Sequence, residues 1–293
     1  RGGSIRRRNR LAWSLVDCDM KVGNTFLQRI AIVTAVLLLP AAAAFGQSYR
    51  DSYTLASRYV SMPDGVRLAV DAALPLGLQE GQKLPALLVQ TRYWRGIDLS
   101  PDLPEAAGFD SEQEFKTFFT GRGYAVVMAD VRGTGASFGV QRFPWAPEEV
   151  DDSRHLVEWI VSQPWSNGRV GGTGISYSGT SALYLAVSGH PAVKAVIPQA
   201  TEWDVFREIA FPGGVFNDWF VKTWSESNRL LDSGVPCDDP SFDCAVLRRF
   251  VLGARRVDED ADGRLREEAV AQHQANGDVY AGAQQVQFRD QVS

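Results

Sequence analysis

The run Gly171-Gly-Thr-Gly-Ile-Ser-Tyr-Ser-Gly179 leaves a chain few ways to fold. Arg169-Val-Gly-Gly-Thr-Gly-Ile175 reads as a buried strand, and Tyr177-Ser-Gly-Thr-Ser-Ala-Leu-Tyr-Leu-Ala-Val187 as a helix, with Ser176 pinned between them. A serine in that place needs a tight, strained turn with small residues on both sides. Gly174 stands two residues before Ser176, and Ser178 and Gly179 stand two and three after it. The pattern is therefore Gly-x-Ser-x-x-Gly, with Ser178 where the commoner signature has glycine. Such an elbow lifts the Ser176 hydroxyl above the sheet as a nucleophile. It also sets the Tyr177 amide at a helix N-terminus, where the amide and the helix dipole stabilise an oxyanion. The same letters also describe an ordinary strand-turn-helix with an incidental serine.

The elements around the elbow alternate between strand and helix. Arg58 to Leu74 reads as a hairpin turning at Asp64-Gly65. Ala86-Leu-Leu-Val-Gln90 and Tyr124-Ala-Val-Val-Met-Ala129 are short apolar runs, as in strands buried on both faces. Glu112–Thr120 and Glu148–Ser162 read as helices, and Val193–Pro198 as the strand after the elbow helix. That order predicts an α/β fold, a mostly parallel sheet covered by helices on both faces. Beyond Trp203 aromatics crowd together (Phe206, Phe211, Phe216, Trp219, Phe220, Trp224), followed by polar helical stretches at Phe242–Leu252 and Leu265–Gln274. Most of these aromatics read as packing; the segment reads as a helical cap over the sheet.

Several ordered cues together resemble one family. They are Asp130-Val-Arg-Gly-Thr-Gly-Ala-Ser137, Val150-Asp-Asp, Trp159-Ile, Trp165-Ser-Asn-Gly-Arg-Val-Gly171 and Ile175-Ser-Tyr-Ser-Gly179. The chain from about Tyr59 to Trp224 is similar to the CocE/NonD serine hydrolases: cocaine esterase, X-Pro dipeptidyl peptidase-like enzymes and α-amino acid ester hydrolases. That resemblance implies an α/β-hydrolase fold with an inserted helical cap, and accommodates the missing glycine at Ser178. It implies residues 47–202 as the hydrolase core and 203–293 as the cap. It implies an acyl-enzyme reaction at an ester or amide, on a small molecule or a short peptide, with no cofactor.

The resemblance also assigns further site residues. Tyr93, in Thr91-Arg-Tyr-Trp94, matches a tyrosine whose hydroxyl joins the oxyanion hole, although a strand-end aromatic also serves packing. Trp94 and Trp203 become candidate pocket walls. Asp204 matches a carboxylate near the substrate, a role it shares with that of a cap hinge. Asp130 reads as fixing its own loop through backbone amides. A serine hydrolase also needs a histidine base and an acid to orient it, in the order Ser, acid, His. His155 precedes the serine, His190 ends the elbow helix in Gly-His-Pro, and His273 lies in a polar helix without a strand beside it. None fits, so the triad Asp and His are expected outside this chain, which reads as the N-terminal part of a longer enzyme. A non-catalytic pseudo-hydrolase that binds acyl ligands or a protein partner is the alternative, and whether such an enzyme is an esterase or a peptidase stays open.

Met20-Lys21, Arg29, the apolar Ile30–Leu39 and Ala44-Phe-Gly46 form a secretory leader cleaved before Gln47, preceded by upstream residues 1–19. A retained anchor is the other reading, but the apolar run is short for a stable span. Export fits a disulfide between Cys237 and Cys244 across a polar loop, as against two separate buried thiols. No group of His, Cys and carboxylate residues has a metal-ligand spacing. A net charge of −5 argues against a nucleic-acid partner.

Overall fold

The computed structural model describes residues 52–102, 112–238 and 241–285; the expected leader lies outside them. The strands are β1 (Tyr53–Ser61), β2 (Arg67–Pro75), β3 (Leu84–Thr91), β4 (Ile97–Leu99), β5 (Ala125–Asp130), β6 (Ser166–Ile175), β7 (Val193–Gln199) and β8 (Val251–Ala254). The helices are α1 (Gln113–Thr120), α2 (Pro147–Ser162), α3 (Tyr177–Val187), α4 (Asp218–Asp232), α5 (Phe242–Phe250), α6 (Arg264–Gln272) and α7 (Val279–Gln285). Six strands build the main sheet in the order β1-β2-β5-β3-β6-β7. β1, β2 and β5 pair antiparallel, and β5, β3, β6 and β7 run parallel, as the alternation of elements predicts.

The period of two along β5 explains the layering. Ala125, Val127 and Ala129 face one core with Leu88 and Val170, closed by Leu156, Val157 and Ile160 of α2 and Leu185 of α3. Val126 and Met128 face the other with Ala73 and Val89, closed by Phe115 and Phe119 of α1. β5 is buried along its whole length, so the sheet has helices on both faces at its centre. Gly172 brings α3 close to β6, because a Cβ there would lie 2.7 Å from Leu185 Cδ2.

The β1–β2 hairpin turns at Asp64-Gly65, where Gly65 takes φ 87° and donates to Met62 O. That conformation is open to glycine and strained for other residues.

The region after β7 differs from the sequence expectation. Asp218–Asp232 forms α4, a helix of 15 residues within the aromatic stretch. The expected helix Phe242–Leu252 ends at Phe250, and Val251–Ala254 instead forms β8, which pairs antiparallel with β4 in a second small sheet. β8 thus ties this segment to the loop after β3. Ser241 caps α5 by accepting from the amide of Cys244 at 3.2 Å. Cys237 and Cys244 are joined in a disulfide, Cα–Cα 5.7 Å, and pack with Leu230 and Leu247. Among the described residues no helix is long and apolar enough to cross a membrane.

Candidate active site

The elbow is built from backbone contacts. Ser176 takes φ 58° and ψ −122°, a left-handed conformation strained for a residue with a side chain. A Cβ on Gly174 would lie 2.4 Å from Ser178 Cβ, and one on Gly179 would lie 2.4 Å from Gln199 O, the last residue of β7. These two glycines let α3 fold back against the strand ends. The same Gln199 carbonyl accepts from Ser176 N at 3.0 Å, and Thr180 N closes the first helical turn onto Ser176 O at 2.9 Å. Ser176 is exposed, and its hydroxyl makes no hydrogen bond among the described residues.

Tyr177, the first residue of α3, presents one of the amides that a helix leaves without an internal acceptor. Tyr93 follows the C-terminal end of β3, its amide donating to Thr91 Oγ1 at 3.0 Å. Its ring meets that of Tyr177 edge-on, with centroids 5.9 Å apart. Trp224 of α4 donates from Nε1 to Tyr93 Oη at 2.8 Å, leaving the phenolic proton for another acceptor. Burial raises the Tyr93 pKa, more than the Trp224 hydrogen bond lowers it, so the phenol stays a donor at neutral pH. The structure therefore sets the Tyr93 ring against the ring of Tyr177, the residue that follows Ser176.

Behind them lies a polar cluster that sequence reasoning missed. The Tyr177 ring stacks on Trp145, centroids 4.5 Å apart, and Trp145 stacks in turn on Trp224 at 6.3 Å. Tyr177 Oη lies 2.6 and 2.7 Å from the two carboxyl oxygens of Glu149 on α2, and accepts from Gln141 Nε2 at 2.9 Å. Glu149 also accepts from Trp145 N at 3.0 Å and from Gln141 Nε2 at 3.2 Å. Glu149 and Gln141 are both buried. Burial pushes the Glu149 pKa up to about 7 against the lowering effect of these hydrogen bonds and of Arg92.

The loop bearing Tyr93 is fixed by Arg95, which is fully buried. Its Nε bonds Asp71 at 3.0 Å, and its Nη1 bonds Asp130 at 2.8 Å and the Arg255 carbonyl at 2.8 Å. Asp130 accepts from the amides of Arg95 (2.6 Å) and Ala136 (3.0 Å), so it does hold its own loop and the Tyr93 loop with it. Arg92 is buried too, with Nη2 at 3.0 Å from both oxygens of Asp232 at the end of α4. A cavity of about 400 Å³ opens between α4 and the start of α7, lined by Arg92, Gln141, Asn228, His273 and Asn276, and Ser176 is not on its wall.

The three expected pocket residues take different places. Trp94 is not a pocket wall but a core residue, packed with Ala69, Ala136, Ala254 and Val257 because the β4–β8 pair folds over it. Trp203 is 82 % exposed on the surface, its amide donating to Glu208. Asp204 turns onto the start of the next helical turn, accepting from Arg207 N at 3.2 Å and pairing with its guanidinium.

The histidines are engaged elsewhere. His155 faces Glu158 along α2, and His190 Nδ1 accepts from Ala192 N in the turn to β7. His273, placed on a polar helix by its sequence, is instead buried, with its ring nitrogens 2.8 Å from Ser137 O and 3.2 Å from Asp232 O. Among the described residues no His, Cys or carboxylate cluster is arranged to hold a metal ion.

Residues 64–291 match the X-Pro dipeptidyl-peptidase (S15 family). A protein of Mycobacterium bovis named as a serine esterase is 42 % identical over 243 residues, which are 81 % of this chain and 38 % of that one. The cocaine esterase of a Rhodococcus strain is 34 % identical over 217 residues, 70 % of this chain and 35 % of that one. A CocE/NonD family hydrolase from Staphylococcus aureus, solved by crystallography, superposes with a TM-score of 0.51 at 26 % identity, over 60 % of this chain and 33 % of the other. The chain thus spans well under half the length of these relatives.

Proposed function

The chain belongs to the X-Pro dipeptidyl-peptidase (S15) family, and from that premise we propose that it carries the nucleophile and the oxyanion hole of a serine hydrolase. One observation carries the reading. Among the described residues, a strained, exposed serine whose hydroxyl makes no hydrogen bond precedes a helix-start amide without an acceptor, and the Tyr177 ring meets that of Tyr93, whose phenolic proton has no acceptor. Ser176 Oγ attacks an ester or amide carbonyl, its proton passes to a base, and the carbonyl oxygen gains the negative charge. The Tyr177 N–H and the Tyr93 O–H receive that charge, where each donor stabilises the transition state more than the ground state. Collapse expels the alcohol or amine and leaves an acyl group on Ser176, which water then removes.

We place the base and its orienting acid in sequence beyond this chain, in keeping with relatives that are much longer. His155, His190 and His273 support this placement, since each has another partner. An ester is the favoured substrate class. The relatives at 42 % and 34 % identity, over 81 % and 70 % of this chain, are named as esterases, whereas relatives named as Xaa-Pro dipeptidyl-peptidases match at 24 % over 76 % of it or at 30–32 % over less than half of it. We infer export from the cytoplasm, which the leader-like sequence pattern at residues 20–46 and the Cys237–Cys244 pair support. The pseudo-hydrolase alternative leaves the strain at Ser176 without a use.

The test is hydrolysis of a p-nitrophenyl ester by the full-length protein, with mass-spectrometric location of a fluorophosphonate label. The label should sit on Ser176, and Ser176→Ala should remove both label and turnover. Wild-type turnover by Ser176→Ala overturns the reading.

A further inference from the structure

Tyr177 has two jobs if Ser176 is the nucleophile: its amide meets the oxyanion, and its side chain has to hold that amide still. Helix α3 alone does not settle the position, because the amide belongs to the first residue after a left-handed serine. The side chain is gripped along its length instead. Trp145 stacks on the ring and points Nε1 at Tyr177 O (3.4 Å), while Glu149 and Gln141 meet the hydroxyl.

We propose that Glu149 is a positioning residue for the oxyanion hole: with Gln141 it clamps the Tyr177 hydroxyl and so fixes the amide that follows Ser176. The proposal rests on Ser176 being the nucleophile. Packing alone does not account for the clamp. A phenylalanine and an aliphatic residue would fill the same space without burying a carboxyl group, which is unfavourable unless its hydrogen bonds are met. Here they are met, by Trp145 N, Gln141 Nε2 and Tyr177 Oη.

The geometry also favours one protonation state. Tyr177 Oη lies 2.6 Å from one carboxyl oxygen and 2.7 Å from the other. A single phenolic proton shared between both oxygens makes two bent bonds, whereas a neutral acid supplies a second proton, so that the tyrosine donates to one oxygen and the acid donates back from the other. The neutral acid therefore closes the clamp better than the carboxylate, and the raised pKa agrees with this state. The charged and titratable groups facing the carboxyl are Tyr177 and Tyr184 on α3 and Arg92 after β3. A glutamine at 149 reproduces the neutral pairing, since its carbonyl accepts and its amide donates.

The experiment compares wild type, Glu149→Ala, Glu149→Gln and Ser176→Ala in the full-length protein, with kcat and KM for a p-nitrophenyl ester measured across pH. Glu149→Ala should lower kcat by about 10- to 100-fold while KM moves by less than about threefold, because the displaced group binds the transition state. Glu149→Gln should recover most of that loss. Wild-type kcat should fall as pH rises above about 7, where Glu149 loses its proton, and Glu149→Gln should lack that fall. Wild-type kcat in Glu149→Ala, even with a lower melting temperature, reduces Glu149 to packing and overturns the proposal. A fall above about pH 7 that persists in Glu149→Gln overturns it too, and this arm decides the matter should the alanine variant not fold. Turnover by Ser176→Ala instead sinks the nucleophile reading, a separate outcome.

Discussion

Gly179→Ala adds one methyl group at the tightest backbone contact of the elbow. Gly179 has no left-handed conformation to lose, so a steric cost stands against the roughly 0.5–1 kcal/mol that alanine gains over glycine within a helix. The new Cβ would sit 2.4 Å from Gln199 O and 3.1 Å from Gly174 O, both backbone atoms that no rotamer change can move. Ordinary contact begins near 3.4 Å, so α3 and the end of β7 must part by about 1 Å. The Gln199 carbonyl is the one that accepts from Ser176 N at 3.0 Å, and a 1 Å retreat takes that bond out of range. Overpacking costs about 1–3 kcal/mol and the lost hydrogen bond about 1 kcal/mol more, which after the helix gain leaves a loss of about 1–3 kcal/mol. A serine and an amide displaced by this much should lower kcat by roughly 100-fold. Urea denaturation gives the first quantity and p-nitrophenyl ester turnover by the full-length protein the second. Gly282→Ala on α7 is the control, since nothing lies within 4 Å of a Cβ there. It should be neutral or stabilising by roughly 0.5–1 kcal/mol. Wild-type stability and turnover in Gly179→Ala would show that α3 is not set by this contact.

Tyr93→Phe should lower kcat by about 10²–10³ with an unchanged melting temperature, because the hydroxyl's one partner is the partly exposed Trp224; unchanged kcat returns Tyr93 to packing. Arg95→Met leaves Asp71 and Asp130 buried without their shared cation and should destabilise by about 3–5 kcal/mol in urea. A loss below about 1 kcal/mol would mean that Arg255, which also pairs with Asp71, suffices. Glu149 has a folded pKa of about 7 against an ordinary 4.5, so its contribution to stability is full below 4.5 and is lost as pH rises through 7. The stability of Glu149→Gln relative to wild type should therefore rise across that window, by at most about 3 kcal/mol. A difference independent of pH refutes the shift.

The sheet and the elbow were legible because their signals are local. The apolar runs of β3 and β5, the Asp64-Gly65 turn and the glycines at 174 and 179 each state a backbone requirement in a few adjacent letters. What was not legible is assembled across the chain. Glu149 reads as an acidic residue in the first turn of a helix, where the dipole favours one, and nothing nearby signals that Tyr177 will reach it. Gln141 and Trp145 lie in a loop held by contacts from Glu149, Tyr177, Trp224 and Asn276, each on a different segment. Helix α4 was hidden because Trp219, Phe220 and Trp224 suggested a packed aromatic segment more strongly than a helical period. His273 looked solvated among glutamines, yet two backbone carbonyls draw it inside. Trp94 was misread for a related reason: β8 covers it, and a four-residue strand containing Gly253 carries almost no sequence signal.

The two proposed oxyanion donors are held by different supports. The Tyr177 side rests on α3, with Gln199 O beneath it and Glu149 clamping its far end. The Tyr93 side rests on Arg95, which joins β2 through Asp71, β5 through Asp130 and the chain after β8 through the Arg255 carbonyl. These supports share no hydrogen bond, but the two rings touch edge-on, and Trp224, which bonds Tyr93, stacks on Trp145 over Tyr177. Damage to one support should disturb the other donor less than its own. Residues that act through different contacts give nearly additive free energies, and residues within one network do not. On that reasoning the effects of Glu149→Ala and Tyr93→Phe on kcat should come close to multiplying, less a coupling through Tyr177, which both contact, whereas Glu149→Ala adds little once Gly179→Ala has already displaced the amide. The difference follows from the geometry: one pair of changes acts on two donors, and the other acts twice on the same one.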